Sequence, residues 1–197
     1  MTISAPLVLE RLAHDARGVQ SVVGGALDEL SRVQSVEQMA PFLELARRGL
    51  ARLKISADRS AAIAEILSRA PIARPVALKA QTEHSLDITK TLARRGVTVE
   101  RDLSEGIVEA DETFVRAAIT EAVALATRTA RQRVRVQVAQ RIVVAESDGR
   151  VTAQDADADL ARAIIEEAVG VHGGQLSWSN DPVRISIDLS AAGILKI

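Results

Sequence analysis

Residues 9–30 read LERLAHDARGVQSVVGGALDEL, and this stretch decides how the N-terminal part of the chain folds. Its small and medium apolar residues are separated by alternating steps of three and four, at Leu9, Leu12, Ala16, Val19, Val23, Ala26 and Leu30. Such spacing predicts one apolar stripe along a helix of a coiled coil or helical bundle. His14 falls on the opposite side of that helix, so we expect its imidazole to be exposed and accessible to a partner.

The stripe belongs to a helix predicted from Ser4 to about Val33, and residues 34–36 are predicted to form a short turn. A second helix then carries a similarly spaced stripe: Phe42 or Leu43, Ala46, Leu50, Leu53, Ala57, Ser60, Ala64 and Leu67. Two long helices joined by a short turn form an antiparallel hairpin, here predicted over residues 1–70. Because a hairpin alone buries one stripe per helix, two copies are expected to pair as a homodimeric four-helix bundle. The Gly24-Gly25 pair is expected to allow a close helix contact.

The pattern changes after Pro71 and Pro75, and residues 72–197 are predicted to form a second domain. Three helices are expected there, over 76–95 with Gly96 as the C-terminal cap, 111–129 and 156–171. Six strands are expected over 97–101, 107–110, 133–139, 141–146, 175–179 and 183–189. Helices that alternate with antiparallel hairpins predict an α/β sandwich with helices on one face of a mixed sheet, so the whole chain is of the α+β class.

Composition excludes several classes of function. The chain has no cysteine, which rules out disulfides, thiolate metal sites and a thiol nucleophile. Its net charge of −1 argues against a nucleic-acid or membrane-surface binder. The sequence has neither a signal peptide nor an apolar run long enough for a membrane span, so a cytoplasmic location is expected. The acidic run Asp155, Asp157 and Asp159 lacks the glycine and glutamate of a calcium loop, and no metal site is expected on the chain.

Three motifs in order along the chain carry a resemblance to a known family. They are LAHDAR at 12–17, RPVAL at 74–78 leading to ARRGVTV at 93–99, and AIIEEAVGVHGGQL at 163–176. Together they resemble the core of bacterial sensor histidine kinases over nearly the whole chain. The resemblance implies that 1–70 is the dimerisation and histidine-phosphotransfer hairpin and that 72–197 is an ATPase-like domain of the Bergerat fold. The usual proline five residues after the histidine is absent, since Val19 stands there.

The nucleotide-binding motifs of that family are degenerate here. Its two helix asparagines align with Glu121 and Leu125, and Leu125 has no donor atom for a hard cation. The first glycine-rich box aligns with 146–150, where Asp148 and Arg150 replace both glycines, and the second aligns with 157–161, which contains none. Glycines let backbone amides approach phosphates, whereas the carboxylates here repel them. No ATP is expected to bind, and no cofactor is expected on this chain.

The chain keeps a phosphoacceptor histidine but lacks the nucleotide motifs. In this it resembles the histidine phosphotransferases with a degenerate kinase fold, the ChpT-like proteins. These share the HD-x-x-G run formed here by His14, Asp15 and Gly18. The resemblance implies that His14 relays a phosphoryl group between the aspartates of two response-regulator receiver domains, including that of a hybrid histidine kinase. Asp15 is expected to orient the imidazole and Arg17 to neutralise the phosphoryl charge. Mg²⁺ is expected in the partner receiver domain. Partner contacts are expected at Arg11, Gly18, Ser21, Arg47 and Arg48.

Two alternatives remain open from the sequence. The chain could be a non-catalytic pseudokinase adaptor or inhibitor that binds receiver domains or a kinase, in which case His14 is a solvated helix residue. It could also be an active ATP-dependent kinase, which labelled ATP would reveal. His172, next to Gly173-Gly174, is expected to be a structural residue at a helix end, and His84 a solvated one.

Overall fold

The computed structural model describes the backbone of residues 5–33 and 35–192, and all their side chains except those of 5–12, 15 and 36. The described residues divide into two compact units, the first ending at Ala61 and the second beginning at Ala62. The division falls within the second helix, so the last turns of that helix group with the α/β part of the chain. Each unit is described by itself below.

The first unit is built from two long helices, as the two stripes predict. Helix α1 spans Ala5–Leu30 and helix α2 spans Val36–Ser68. The Ser35 hydroxyl accepts a hydrogen bond from the Gln38 amide at 3.4 Å, which caps the start of α2. The short turn between the helices makes the hairpin antiparallel.

The face that α2 turns toward α1 differs from the predicted stripe. A Cβ on Gly49 would lie only 2.7 Å from Cγ2 of Val23, so the two helices approach most closely at this glycine. Gly49 and Ser56 are buried, whereas Leu50, Leu53 and the other leucines of the predicted stripe are exposed. The absence of a side chain at Gly49 lets the two backbones approach closely there, and Ile55 is buried on the same helix. The leucine stripe therefore has no apolar cover within one copy of the described chain.

The expectation for Gly24 and Gly25 is wrong within one copy of the chain. A Cβ on either would have no described heavy atom within 4 Å, so neither glycine marks a close helix contact there. Gly49, on the other helix, has that role.

After the last turns of α2, the described part of the second unit contains a five-stranded mixed sheet, a two-stranded sheet and three α-helices. Its elements in chain order are β1 Arg74–Ala77, α3 Leu78–Thr89, β2 Thr98–Leu103, β3 Ile107–Ala110, α4 Glu112–Thr129, β4 Arg133–Ala139, β5 Ile142–Ser147, α5 Ala156–Gly170, β6 Gln175–Asn180 and β7 Val183–Asp188. The strand order is β2-β4-β5-β7-β6. Only the β2–β4 pair is parallel, which makes the sheet mixed as predicted.

Three details of the predicted α/β domain are wrong. The predicted third helix ends at Thr89 and not at residue 95, so Gly96 lies beyond its C-cap residue Lys90 and does not cap it. The predicted third helix starts at Leu78, because residues 74–77 form strand β1, where Pro75 disfavours helical backbone at the residue before it. The strands at 98–103 and 107–110 do not form a hairpin with each other. Strand β2 pairs with β4, while β3 pairs with β1 in a separate two-stranded sheet.

The core lies between one face of the sheet and the helices. Along β4 the buried residues Val134, Val136 and Val138 alternate with more exposed ones, and β5 and β7 repeat the pattern. Helix α4 packs against β4, β5 and β7, α5 packs against β6, and the two helices pack against each other. The alternation leaves the other face of the sheet to charged residues and water.

Candidate functional site

The predicted phosphoacceptor lies on the exposed surface of α1. The side chain of His14 is exposed, as the apolar stripe predicts. Gly18 and Ser21 follow it at steps of four and three, so all three lie on one side of the helix and all are exposed. A Cβ on Gly18 would meet no described heavy atom within 4 Å, so the surface next to the imidazole is low and open.

The other predicted residues of this helix have different outcomes. Arg17 is exposed one turn after His14, so its guanidinium can reach a group bound near the imidazole. Arg11 and Asp15 lie in α1, but their side chains are outside the described residues, and their roles stay predictions. Val19, where kinases carry proline, is buried.

The two arginines predicted on α2 are exposed but are not next to His14. Arg48 donates from Nε to the Glu44 carboxylate at 3.1 Å, an exposed pair one turn apart. Because Gly49 lies opposite Val23, Arg47 and Arg48 are level with residues near Gly24 on α1. That is about ten residues, or ~15 Å along the helix axis, from His14. Their distance suits a contact with the body of a partner better than one with a transferred phosphoryl group.

Glu146, in the segment 146–150 that was aligned with the first glycine-rich box, faces the exposed side of the sheet. Glu146 accepts from Arg184 at 2.7 Å and lies 3.9 Å from Arg135, which are its cross-strand neighbours on β7 and β4. The next residue, Ser147, is buried and contacts the Thr129 hydroxyl at 3.0 Å at the end of α4. Glu146 therefore points away from the helices against which the sheet packs.

One side chain of the loop after β5, that of Asp148, attaches the loop to the backbone of residues 131–133. The Asp148 carboxylate accepts from the backbone amides of Arg131, Gln132 and Arg133, at 2.9 to 3.2 Å. These bonds, that from Arg131 first, hold the pKa of Asp148 below its ordinary value. A Cβ on Gly149 would lie 1.9 Å from the Thr129 carbonyl oxygen, so the loop packs directly on the end of α4. The backbone amides that could bind an anion at this place already donate to the Asp148 carboxylate.

The start of α5 is neutralised by residues of the same unit. Asp155 caps the helix by accepting from the amides of Asp157 and Ala158. Arg128, near the end of α4, donates to Asp157 at 2.7 Å and to Asp155 at 3.3 Å. A helix N-terminus attracts phosphate, but two carboxylates already occupy this end and one guanidinium balances them. The arrangement also differs from a calcium loop, since the cation that Asp155 and Asp157 hold is an arginine.

The helix positions that carry asparagines in the kinases are in the core of this chain. Glu121 and Leu125 are 3% and 2% exposed on α4. Leu125 offers no oxygen to a metal ion, as the sequence indicates. Among the described residues, no group of three or more His, Asp or Glu side chains is placed to hold a metal ion.

His172 has the structural place that was expected for it, with one contact that the sequence does not reveal. Its Nε2 accepts a hydrogen bond from the Asp111 backbone amide at 3.3 Å, and its ring contacts Phe114 edge-on at 6.0 Å between centroids. Burial lowers the pKa of His172, although the Asp111 charge acts against this. His172 thus links the turn after α5 to the start of α4.

No protein-family model matches the sequence, and no curated protein matches it either. Solved structures do match its fold. The Acinetobacter baumannii histidine kinase AdeS is 16% identical with a TM-score of 0.55, over 88% of this chain and 95% of that one. A bacterial phosphotransferase is 14% identical with a TM-score of 0.56, over 95% of this chain and 98% of that one.

A third match reaches a larger protein. Full-length ShkA, solved in complex with AMPPNP, is 15% identical with a TM-score of 0.50, over 94% of this chain and 45% of that one. At these identities the likeness shows a shared fold, that of the histidine kinase cytoplasmic region.

Within the part of the chain that the structure describes, no helix is both long and apolar enough to cross a bilayer.

Proposed function

We propose that this chain is the histidine phosphotransferase of a phosphorelay, in which His14 takes a phosphoryl group from one receiver domain and gives it to another. The observation that carries the proposal is the exposed His14 on a helical hairpin, in a fold shared with histidine kinases and with a bacterial phosphotransferase. Receiver domains are the partner class that this chemistry requires, because the aspartyl phosphate of one receiver can supply the group and the free aspartate of another can accept it.

The transfer needs only groups that an exposed helix can present. The unprotonated ring nitrogen of His14 forms an N–P bond with its lone pair, while the P–O bond to the receiver carboxylate breaks and the carboxylate leaves with the bonding electrons. The proton on the other ring nitrogen passes to a nearby base, for which Asp15 is our candidate. Arg17 offsets charge on the phosphoryl oxygens. A Mg²⁺ ion held by the receiver would stabilise the same oxygens.

The state of the former nucleotide motifs supports a relay without ATP. The Asp148 carboxylate occupies backbone amides of residues 131–133, and Asp155 and Asp157, which share the Arg128 guanidinium, occupy the start of α5. A nucleotide phosphate would therefore have to displace these carboxylates from the amides and from the helix end that could bind it. We therefore expect the phosphoryl group to come from another protein and not from bound nucleotide.

A second copy of the chain is proposed to cover the exposed leucines of the hairpin. Leu50 is 56% exposed, Leu43 is 50% exposed and Leu53 is 41% exposed, all on α2, and Leu27 on α1 is 57% exposed. These residues follow the three-and-four spacing that favours helix packing, and exposed apolar stripes of this kind mark interaction surfaces. Pairing two hairpins through them would give the four-helix bundle predicted from the sequence.

The test is a relay assay with two receiver domains, one phosphorylated at the start. The parent chain should move label from the first receiver to the second, and His14→Gln should stop this movement. His84→Gln is the matched control, since His84 is also an exposed helical histidine. Should His14→Gln leave transfer intact, the proposal is wrong. If no transfer occurs but the chain binds receivers equally with or without His14, the adaptor function replaces it.

A further inference from the structure

Asp111 joins three separate segments of the second unit through one buried carboxylate. Its side chain is only 4% exposed. Its Oδ1 accepts from the amides of Thr113 and Phe114, at 3.0 and 3.4 Å, which caps α4. Its Oδ2 accepts from the backbone amide of Ile72 at 2.8 Å. The same carboxylate therefore caps a helix and holds the segment that follows α2.

Arg69 adds a second attachment between these segments. Its guanidinium binds both oxygens of Asp111, at 2.6 and 3.2 Å, in the two-pronged geometry that gives strong carboxylate pairs. It also donates to the Glu65 carboxylate on α2 at 2.8 Å from Nη2. The guanidinium carbon lies 5.2 Å from the centre of the Phe114 ring, which adds a cation–π contact on α4. A Glu65–Arg69–Asp111 bridge thus runs from the last turns of α2 to the start of α4.

The backbone of Asp111 makes the third attachment. Its amide donates to Nε2 of His172, in the turn after α5. Hydrogen bonds from both the side chain and the backbone thus hold Asp111 in place. Because Asp111 is held through both its side chain and its backbone, we expect the segment bound to its carboxylate to be held in place as well.

We propose that residues 69–72 form a fixed joint, clasped to α4 by the Arg69–Asp111 pair, and not a hinge. A hinge needs a backbone with few buried contacts and hydrogen bonds exposed to water. Here the Ile72 amide and the Arg69 guanidinium both donate hydrogen bonds to the buried Asp111 carboxylate. The clasp keeps the end of α2 attached to α4. The joint rests on these contacts alone and stands whether or not His14 carries a phosphoryl group.

Two variants break the clasp while leaving α4 capped. Asp111→Asn removes the charge but keeps a good N-cap residue, and Arg69→Gln leaves Asp111 itself in place. The matched control is Arg48→Gln, which breaks an exposed arginine–carboxylate pair within one helix. Far-ultraviolet circular dichroism confirms that each variant folds. If Asp111→Asn fails to fold, Arg69→Gln carries the test.

The measurement is hydrogen exchange at the Ile72 amide, together with the distance distribution between spin labels at Ser68→Cys and Ser177→Cys. The chain has no cysteine of its own, and dilution with unlabelled protein removes distances between copies. In both clasp variants we expect exchange at Ile72 to rise about tenfold or more, as loss of a charge-assisted hydrogen bond predicts, and the distribution to widen. The parent and Arg48→Gln should show slow exchange and one narrow distribution. A broad distribution in the parent, or no change in either clasp variant, would overturn the proposal.

Discussion

The guanidinium of Arg128 lies 2.7 Å from the carboxylate of Asp157, across the gap between the end of α4 and the first turn of α5. Asp155 shares the same cation, so the positive end of α5 and the two carboxylates form one balanced group. The three side chains place one cation and two anions at the first turn of α5.

Nucleotide binding is the first property to measure. We expect Mg²⁺-AMPPNP to bind with a Kd weaker than about 1 mM, because the amide and helix-end donors near Asp148 and Asp155 are already occupied. Isothermal titration calorimetry on the parent chain gives the answer directly. Tight binding, or autophosphorylation from labelled ATP, would restore the kinase alternative.

Gly149 should be one of the least replaceable residues of the loop after β5. A methyl group there collides with the Thr129 carbonyl, so Gly149→Ala should lower the free energy of unfolding by about 1–3 kcal/mol. Gly25→Ala is the control, because it adds a methyl group in open space on a helix and should raise stability by up to ~1 kcal/mol. Urea denaturation compares the two. Equal effects would mean that the loop can move off α4 at little cost.

The dimer prediction depends on which stripe of the hairpin is changed. Leu50→Glu places a charge on an exposed position of α2, so we expect folded monomers in sedimentation velocity runs. Val19→Asp changes a residue that one copy of the chain already buries, and it should instead destabilise the hairpin itself by about 2 kcal/mol or more. A Leu50→Glu variant that remains a dimer would place the interface elsewhere.

Stability should depend on acid through Asp111. Burial acts to raise the pKa of Asp111, but hydrogen bonds from Arg69 and from the Ile72 and Phe114 amides outweigh it and lower the pKa to about 2. A carboxyl whose pKa is lower in the folded than in the unfolded chain stabilises the fold above the unfolded value, near pH 4, and loses that contribution as pH falls toward 2. The groups around it are Arg69, which stays charged, Glu65 beyond that arginine, and His172.

The measurement is the free energy of unfolding between pH 5 and pH 2, in the parent and in Asp111→Asn. The loss in the parent should exceed that in the variant by at most ~2 kcal/mol, and by less to the extent that solvent screens the pair. Identical curves would show that the Asp111 charge does not contribute to stability.

The sequence predicted the elements whose signal is local. The stripe of α1 placed His14 on the exposed side, and the alternation at 133–139 predicted strand β4 and its buried valines. The helix predicted over 111–129 is present as α4, with Asp111 as its N-cap residue. In each case the residues that form the sequence pattern lie within a few positions of the structural feature that the pattern predicts.

The features that the sequence missed depend on contacts between distant residues. Strand β1 is four residues long and is recognisable only through its pairing with β3, about thirty residues later. Arg128 meets Asp155 only because α4 and α5 pack together, and Arg69 meets Asp111 across a separation of 42 residues. The face of α2 that packs against α1 was also not predicted, because it depends on how closely Gly49 lets the two helices approach.

The central claim is that His14 carries the phosphoryl group, and its most direct test is to find that group on the protein. After incubation with a phosphorylated receiver domain, intact mass spectrometry at neutral pH should show the parent chain heavier by one phosphoryl group, and fragmentation should place it on His14. The modification should disappear in acid, as expected of a phosphohistidine, and should be absent from His14→Gln but present in His84→Gln. A phosphoryl group on any other residue, or none with any receiver that binds the chain, would contradict the account.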